Sequence, residues 1–326
     1  MRLSASKLSL LSTAFVLLLL FTICAVSFDG FFSMPMIANL LRNNAYLGIM
    51  AVGMTFVILS KGIDLSVGAV YGFTTVLLAS LYESGAVSGP LGWAIALGLG
   101  LGFGLFMGTL IVRYELPPFL VTLGGMFFAR GMAFVITEQS LNFSSSFYDS
   151  VANIEVQIGP RAYVGLGTIL FAVVFLAALY VLNLTRFGRS VYAVGGNEDS
   201  ARLMGLSVDR IKISVYGVNG FCAALAGVLG TMSTESGNPV NGNMDELDTI
   251  ASVVIGGTLL TGGKGGVFGT LLGVLIFAII KAIPDFGNIS SPMIMIIKGG
   301  LLLSFILLQA QLSRIKPKAE TIVVKS

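Results

Sequence analysis

Long apolar runs, separated by short polar connections, occupy most of this chain. A helix needs ~20 mostly apolar residues to cross the ~30 Å hydrocarbon layer of a bilayer. Windows of that kind fall near 8–28, 43–60, 64–82, 91–112 and 117–137, and again near 162–184, 212–232, 247–262, 266–282 and 292–311. The pattern predicts an all-α, polytopic transmembrane bundle of about ten spans, forming a single transmembrane domain over residues 1–326. The polar connections are expected to be a cytoplasmic loop at 185–212, an external loop at 138–161 and a cytoplasmic tail at 312–326. Arg2 and Lys7 precede the first window, which is long for a signal peptide and lacks a small-x-small cleavage site, so a retained span is expected.

Composition supports this reading. The 326 residues are 55% hydrophobic and 11% charged, with a mean hydropathy of +0.92. Soluble domains carry about 25% charged residues to present a wet surface, so lipid is the main solvent here. With no histidine, His-based metal sites, Ser-His-Asp hydrolysis and histidine proton relays are excluded. Cys24 and Cys222 lie within apolar runs and read as inert thiols.

Charge orients the spans. Ten crossings put both termini on one face. If that face is the cytoplasm, Arg42, Arg161 and Lys281 fall outside, Arg130 and Lys298 within spans, and the remaining 14 of the 19 Lys and Arg residues inside. That is the asymmetry of the positive-inside rule.

Gly100, Gly104 and Gly108 recur every fourth residue in the fourth window, a small-xxx-small stripe for close helix packing. Residues 52–62 (VGMTFVILSKG) match 255–265 (IGGTLLTGGKG) at four of eleven positions, which admits two related halves. Around Gly263-Lys264, a phosphate-binding P-loop would need glycine at 258 and Ser or Thr at 265. The residues are Thr258 and Gly265, so this block is a turn and the chain has no Walker A motif.

The least lipid-like stretch, 185–212, holds five of the Lys and Arg residues. Gly195 and Gly196 suggest a flexible entry and Asn197 an N-cap. Glu198 and Asp199 suit the first turn, and Gly205 the left-handed position after the helix. A helix of about two turns lying outside the membrane is expected, suited to docking in a cleft of another protein.

The run 186–205 (RFGRSVYAVGGNEDSARLMG) resembles the coupling loop of permeases from bacterial ribose-type ABC importers. The resemblance continues through 52–68 (VGMTFVILSKGIDLSVG), 116–131 (LPPFLVTLGGMFFARG) and 247–270 (LDTIASVVIGGTLLTGGKGGVFGT), in order and at the usual spacing. Within that family the likeness is to one of the paired permeases of a galactofuranose importer, although Lys61 stands where a small residue is usual. The resemblance implies a non-catalytic membrane subunit that translocates a monosaccharide across the bacterial inner membrane by alternating access. It implies an ATPase subunit binding ATP and Mg, a second permease and a periplasmic sugar-binding protein as partners, with no cofactor in this chain and no nucleic acid. By the same resemblance, Arg186, Gly188, Arg189, Gly195, Gly196, Asn197, Ala201 and Gly205 form the ATPase-coupling element.

Polar residues at membrane depth are costly and tend to face protein or a watery cavity. Asp64, Thr122, Arg130, Asn219 and Asp248 are such residues. Sugars need hydroxyl-matching groups beside flat apolar surfaces, so Thr122, Arg130, Asn219 and Asp248 with Phe119, Phe127 and Phe128 are candidates for the translocation path. The alternative role for Arg130 and Asp64 is structural pairing. Outside, Asp149, Glu155, Glu235, Asp245, Glu246 and Asp285 make an acidic face that would dock a complementary binding protein. An ion-coupled secondary transporter would need deep carboxylates, of which Asp64 is the one candidate, and a membrane enzyme would need clustered catalytic groups.

Overall fold

The computed structural model describes residues 5–85, 87–287 and 291–314; Arg2 and the basic end of the tail lie outside them. In chain order the elements are α1 (Ala5–Ser27), α2 (Met34–Asn43), α3 (Ala45–Leu59), α4 (Val67–Glu83), α5 (Gly89–Arg113) and α6 (Pro118–Ile136). Next come β1 (Leu141–Asn142), α7 (Ser146–Ala152), β2 (Glu155–Gly159), β3 (Ala162–Gly165), α8 (Leu166–Leu184), α9 (Arg186–Gly196) and α10 (Glu198–Leu203). The chain continues with α11 (Val208–Thr234), β4 (Ser236–Gly237), α12 (Asp245–Ile255), α13 (Val267–Gly287) and α14 (Ser291–Arg314).

A helix lies in every one of the ten apolar windows, and among the described residues six are long and apolar enough to cross a membrane: 10–27, 89–113, 118–136, 166–184, 208–234 and 267–284. Short α3 and α12 end instead at interior breaks. Gly257, Gly262, Gly263 and Gly265 all have positive φ, so α12 stops at Ile255 and the chain turns before α13. This corrects the internal match of 52–62 with 255–265, because the first copy is mostly helix interior and the second is mostly turn.

Layering follows burial. α3 is buried almost throughout, and α11, whose membrane window is 67% buried, crosses the centre against α5, α3 and α4. α1, α6 and α8 surround this core and keep large apolar side chains exposed, such as Phe15, Phe127, Phe128 and Leu176. Helices apolar on all sides suit burial in protein on one side and lipid or another subunit on the other. Glycine sets the closest approach. A Cβ at Gly100 or Gly104 would collide with the α11 backbone at Gly220 or Tyr216, and one at Gly108 would lie 2.9 Å from the Cα of Ile213.

The connection between α6 and α8 is built rather than merely solvated. β1 pairs with β4 and β2 with β3. Tyr148 on α7 is fully buried, receives a 2.9 Å hydrogen bond from the Trp93 indole N–H and packs edge-on against Tyr82, Phe143 and Phe147.

Candidate functional site

Two regions gather the chemistry-bearing residues: the α9–α10 element at one end of the bundle and a set of polar side chains among the helices. Thr185 starts α9, its hydroxyl accepting from the Gly188 N–H at 3.2 Å. Asn197 caps α10, its Oδ1 accepting from the Ser200 N–H at 2.7 Å, while Glu198 and Asp199 fill the first turn. Gly205 follows α10 at φ +80°. The caps and the left-handed glycine match the local reading of the sequence. Gly195 and Gly196 do not supply a flexible entry, because they close α9 as its last two residues.

The element divides into an anchor and a free surface. Gly188, Gly195 and Ala201 are buried, whereas Arg186, Arg189, Gly196, Asn197 and Gly205 are exposed. A side chain at Gly195 would run into the carbonyl of Leu59, where α3 ends, and into the turn at Gly263. The Gly263 N–H donates to that same Leu59 carbonyl at 2.9 Å, and the Tyr192 hydroxyl donates to the Gly265 carbonyl at 2.9 Å. α9 therefore rests on both interior breaks at once. On the free side, Leu203 is 89% and Met204 68% exposed. Glu198, Arg202, Asp209 and Lys212 form a surface ion network between α10 and the start of α11, with Arg202–Asp209 at 2.6 Å and Lys212–Glu198 at 3.0 Å. Apolar knobs at the tip of a braced helix were missed in the sequence because Leu-Met reads as buried.

The path candidates separate. Asn219 on α11 is fully buried and donates from its amide to Asp64 at 2.8 Å. Asp64 also accepts from the backbone N–H (2.8 Å) and hydroxyl (2.6 Å) of Ser66. Asp64 and Asn219 thus lock the α3–α4 connection to α11. Thr122 is likewise fully buried, donating to the carbonyl of Pro118 one turn back, at 2.9 Å. A buried hydroxyl satisfied by its own helix is packing rather than lining. Arg130 donates to the carbonyls of Pro239 (2.6 Å) and Asn241 (2.5 Å), fixing the loop between β4 and α12. Asp248 joins Lys281 (3.1 Å) and Lys298 (2.7 Å), with Asp245 on Lys281 at 3.3 Å, in a half-buried cluster across α12, α13 and α14. Phe119, Phe127 and Phe128 are exposed on the outer face of α6.

The acidic face expected outside is also thinner than the sequence suggests. Asp245 is paired with Lys281, Glu246 is buried, and Glu155 pairs with Arg42 at 2.9 Å. Glu235 remains half-buried in the loop after α11. Burial, and then the neighbouring Asp149 carboxylate, push its carboxyl above the ordinary range.

Comparison with known proteins identifies the class. The family model described as "Branched-chain amino acid transport system / permease component" matches residues 36–306, and the chain belongs to this family of ABC transporter permeases. Among its relatives are the inner membrane ABC transporter permease protein YjfF of Escherichia coli strain K12, 44% identical over 94% of this chain and 93% of the relative, and the fructose import permease protein FruG of Bifidobacterium longum, 38% identical over 94% and 92%. The ribose import permease protein RbsC of Escherichia coli strain K12 is 38% identical over 89% of this chain and 90% of the relative. No solved structure matches the chain. The chain is a multi-pass protein of the bacterial inner membrane, as the sequence leads one to expect, in keeping with six apolar spans and relatives of that kind.

Proposed function

We propose that this chain is the translocating subunit of an ATP-driven monosaccharide importer, with ten spans, both termini in the cytoplasm and galactofuranose as the favoured sugar. A separate ATPase subunit binds ATP and Mg. A second permease, either another copy or a homologue, packs beside this chain, and a periplasmic sugar-binding protein delivers substrate. The observation that carries the reading is the α9–α10 element: capped, braced, apolar at its tip and seated on the ends of α3 and α12. Such an element passes force from a docked partner into the membrane core. The positive-inside count of the sequence supports the ten-span orientation. The exposed aromatic face of α6 is an available surface for the second permease or lipid.

The family description names amino acids, whereas relatives along almost the whole chain are named for ribose, fructose and xylose, which favours a sugar. An ion-coupled transporter is disfavoured because Asp64 already accepts three hydrogen bonds within the core. The test is radiolabelled uptake into membrane vesicles of galactofuranose, ribose, xylose, fructose and leucine, with and without binding protein and internal ATP. Sugar uptake that requires both is expected. Uptake of leucine alone, or sugar uptake driven by an ion gradient without either component, would overturn the reading.

A further inference from the structure

A cavity of about 670 Å³ opens among α2, α3, α4, α8 and the end of α11, within this single chain. That volume lies in the range of small-molecule sites, ~300–1,000 Å³. Its wall carries Asn39 and Asn43 from α2, Tyr46 from α3, Tyr71 from α4, and Ser233 and Thr234 from α11. Arg42 and Glu235 also line it, and Arg42 is already paired with Glu155 at 2.9 Å.

Tyr71 is the telling residue. It is 9% exposed, yet its hydroxyl makes no hydrogen bond among the described residues and lies beside Gly230, which also lines the cavity. The hydroxyl oxygen is not sealed in protein but opens onto the cavity. Its ring packs on Tyr46, with centroids 5.3 Å apart. Tyr46 is itself held, since the Lys281 ammonium donates to its hydroxyl at 3.1 Å and sits over its ring. The cavity therefore offers a fixed aromatic wall, a tyrosine hydroxyl open to the cavity and a rim of amides and hydroxyls. That is chemistry for a neutral, polyhydroxylated ligand with apolar C–H faces. A branched aliphatic side chain would leave the amides and hydroxyls unmatched.

We propose that this cavity is a monosaccharide-receiving site inside one protomer, with the Tyr71 hydroxyl as a hydrogen-bonding group facing the cavity and the Tyr46–Tyr71 pair as its aromatic wall. The proposal rests on the sugar-importer reading and locates a sugar site within it. The site also lies one residue away from the Asp245–Asp248–Lys281–Lys298 cluster, through Tyr46.

The test uses the transporter assembled in nanodiscs without binding protein. Saturation-transfer NMR reads contact with whichever of ribose, xylose, fructose and galactofuranose the vesicles take up. Two variants probe the cavity. Tyr71→Phe removes only the hydroxyl. Gly165→Trp adds bulk at a lining position where a Cβ meets nothing within 4 Å, so it fills the cavity without a backbone clash. The wild type is expected to bind the transported sugar, Tyr71→Phe to bind it about threefold to tenfold more weakly, as for one neutral hydrogen bond, and Gly165→Trp to lose the signal. Unchanged binding in both variants, or no binding by a wild type that imports the sugar, would overturn the site. Because uptake is measured separately with the binding protein, failure of the importer reading shows as absent uptake and is distinguished from failure of the cavity.

Discussion

The α9–α10 element and the cavity beside Tyr71 are both polar regions of a lipid-dwelling chain, but they are assembled in opposite ways. The first is built from about twenty consecutive residues whose caps, glycines and charges act on their immediate neighbours. The second draws single side chains from helices far apart in sequence. Local hydrogen bonds cap the first and tertiary contacts only seat it, whereas the second exists only once α11 has packed against α3 and α4. The element should therefore fail by losing its seat or its partner, and the membrane core by losing its packing.

The largest expected effect is at the seat. Gly195→Val forces a side chain into the Leu59 carbonyl and the Gly263 turn. The strain should cost about 1–3 kcal/mol, as overpacking does, and sugar uptake should fall to background while the chain still inserts, measured by uptake normalised to membrane content. Normal uptake would mean that α9 can leave α3 without consequence. Asn219→Leu comes next. It removes a partner from buried Asp64, which should lower stability by roughly 2 kcal/mol, read as a drop in thermal unfolding temperature in detergent. Sugar preference should not change, and a changed preference would restore Asn219 to the path. At the free tip, the pair Leu203→Ala and Met204→Ala should weaken assembly with the ATPase roughly tenfold, about 1.4 kcal/mol, without altering the stability of the chain alone. The smallest effect is expected from Asn197→Ala. Losing the cap of a short helix costs about 1 kcal/mol and should slow uptake modestly; a variant as impaired as Gly195→Val would show that the cap does more than end a helix.

The same contrast explains what the sequence made legible. A helix lies in each of the ten apolar windows, but only six of those among the described residues have the length that a bilayer imposes; α3 and α12 are cut short by interior breaks that run length does not show. The Asn197 cap and the Gly205 turn followed from neighbours in the chain. α9 was missed as a helix because Gly188, Gly195 and Gly196 disfavour one locally; close approach to α8, α3 and the turn before α13 requires two of those glycines. Thr122 and Asn219 could be recognised as polar groups at depth from residue type, but their hydrogen bonds to the Pro118 carbonyl and to Asp64 are visible only in three dimensions. Tyr71 carried no signal at all in the sequence, as one tyrosine within an apolar run whose unpaired hydroxyl is visible only in three dimensions.

The account turns on the claim that α10 docks against a partner while its anchor grips the membrane core. Met204→Cys places a thiol at the exposed tip, and the native thiols Cys24 and Cys222 are buried, so a bulky maleimide admitted to the face that α10 occupies should react selectively. The account predicts that assembly with the ATPase shields this thiol, and that modifying it before assembly abolishes ATP-dependent sugar uptake. Free labelling in the assembled transporter, with uptake undiminished, would contradict it.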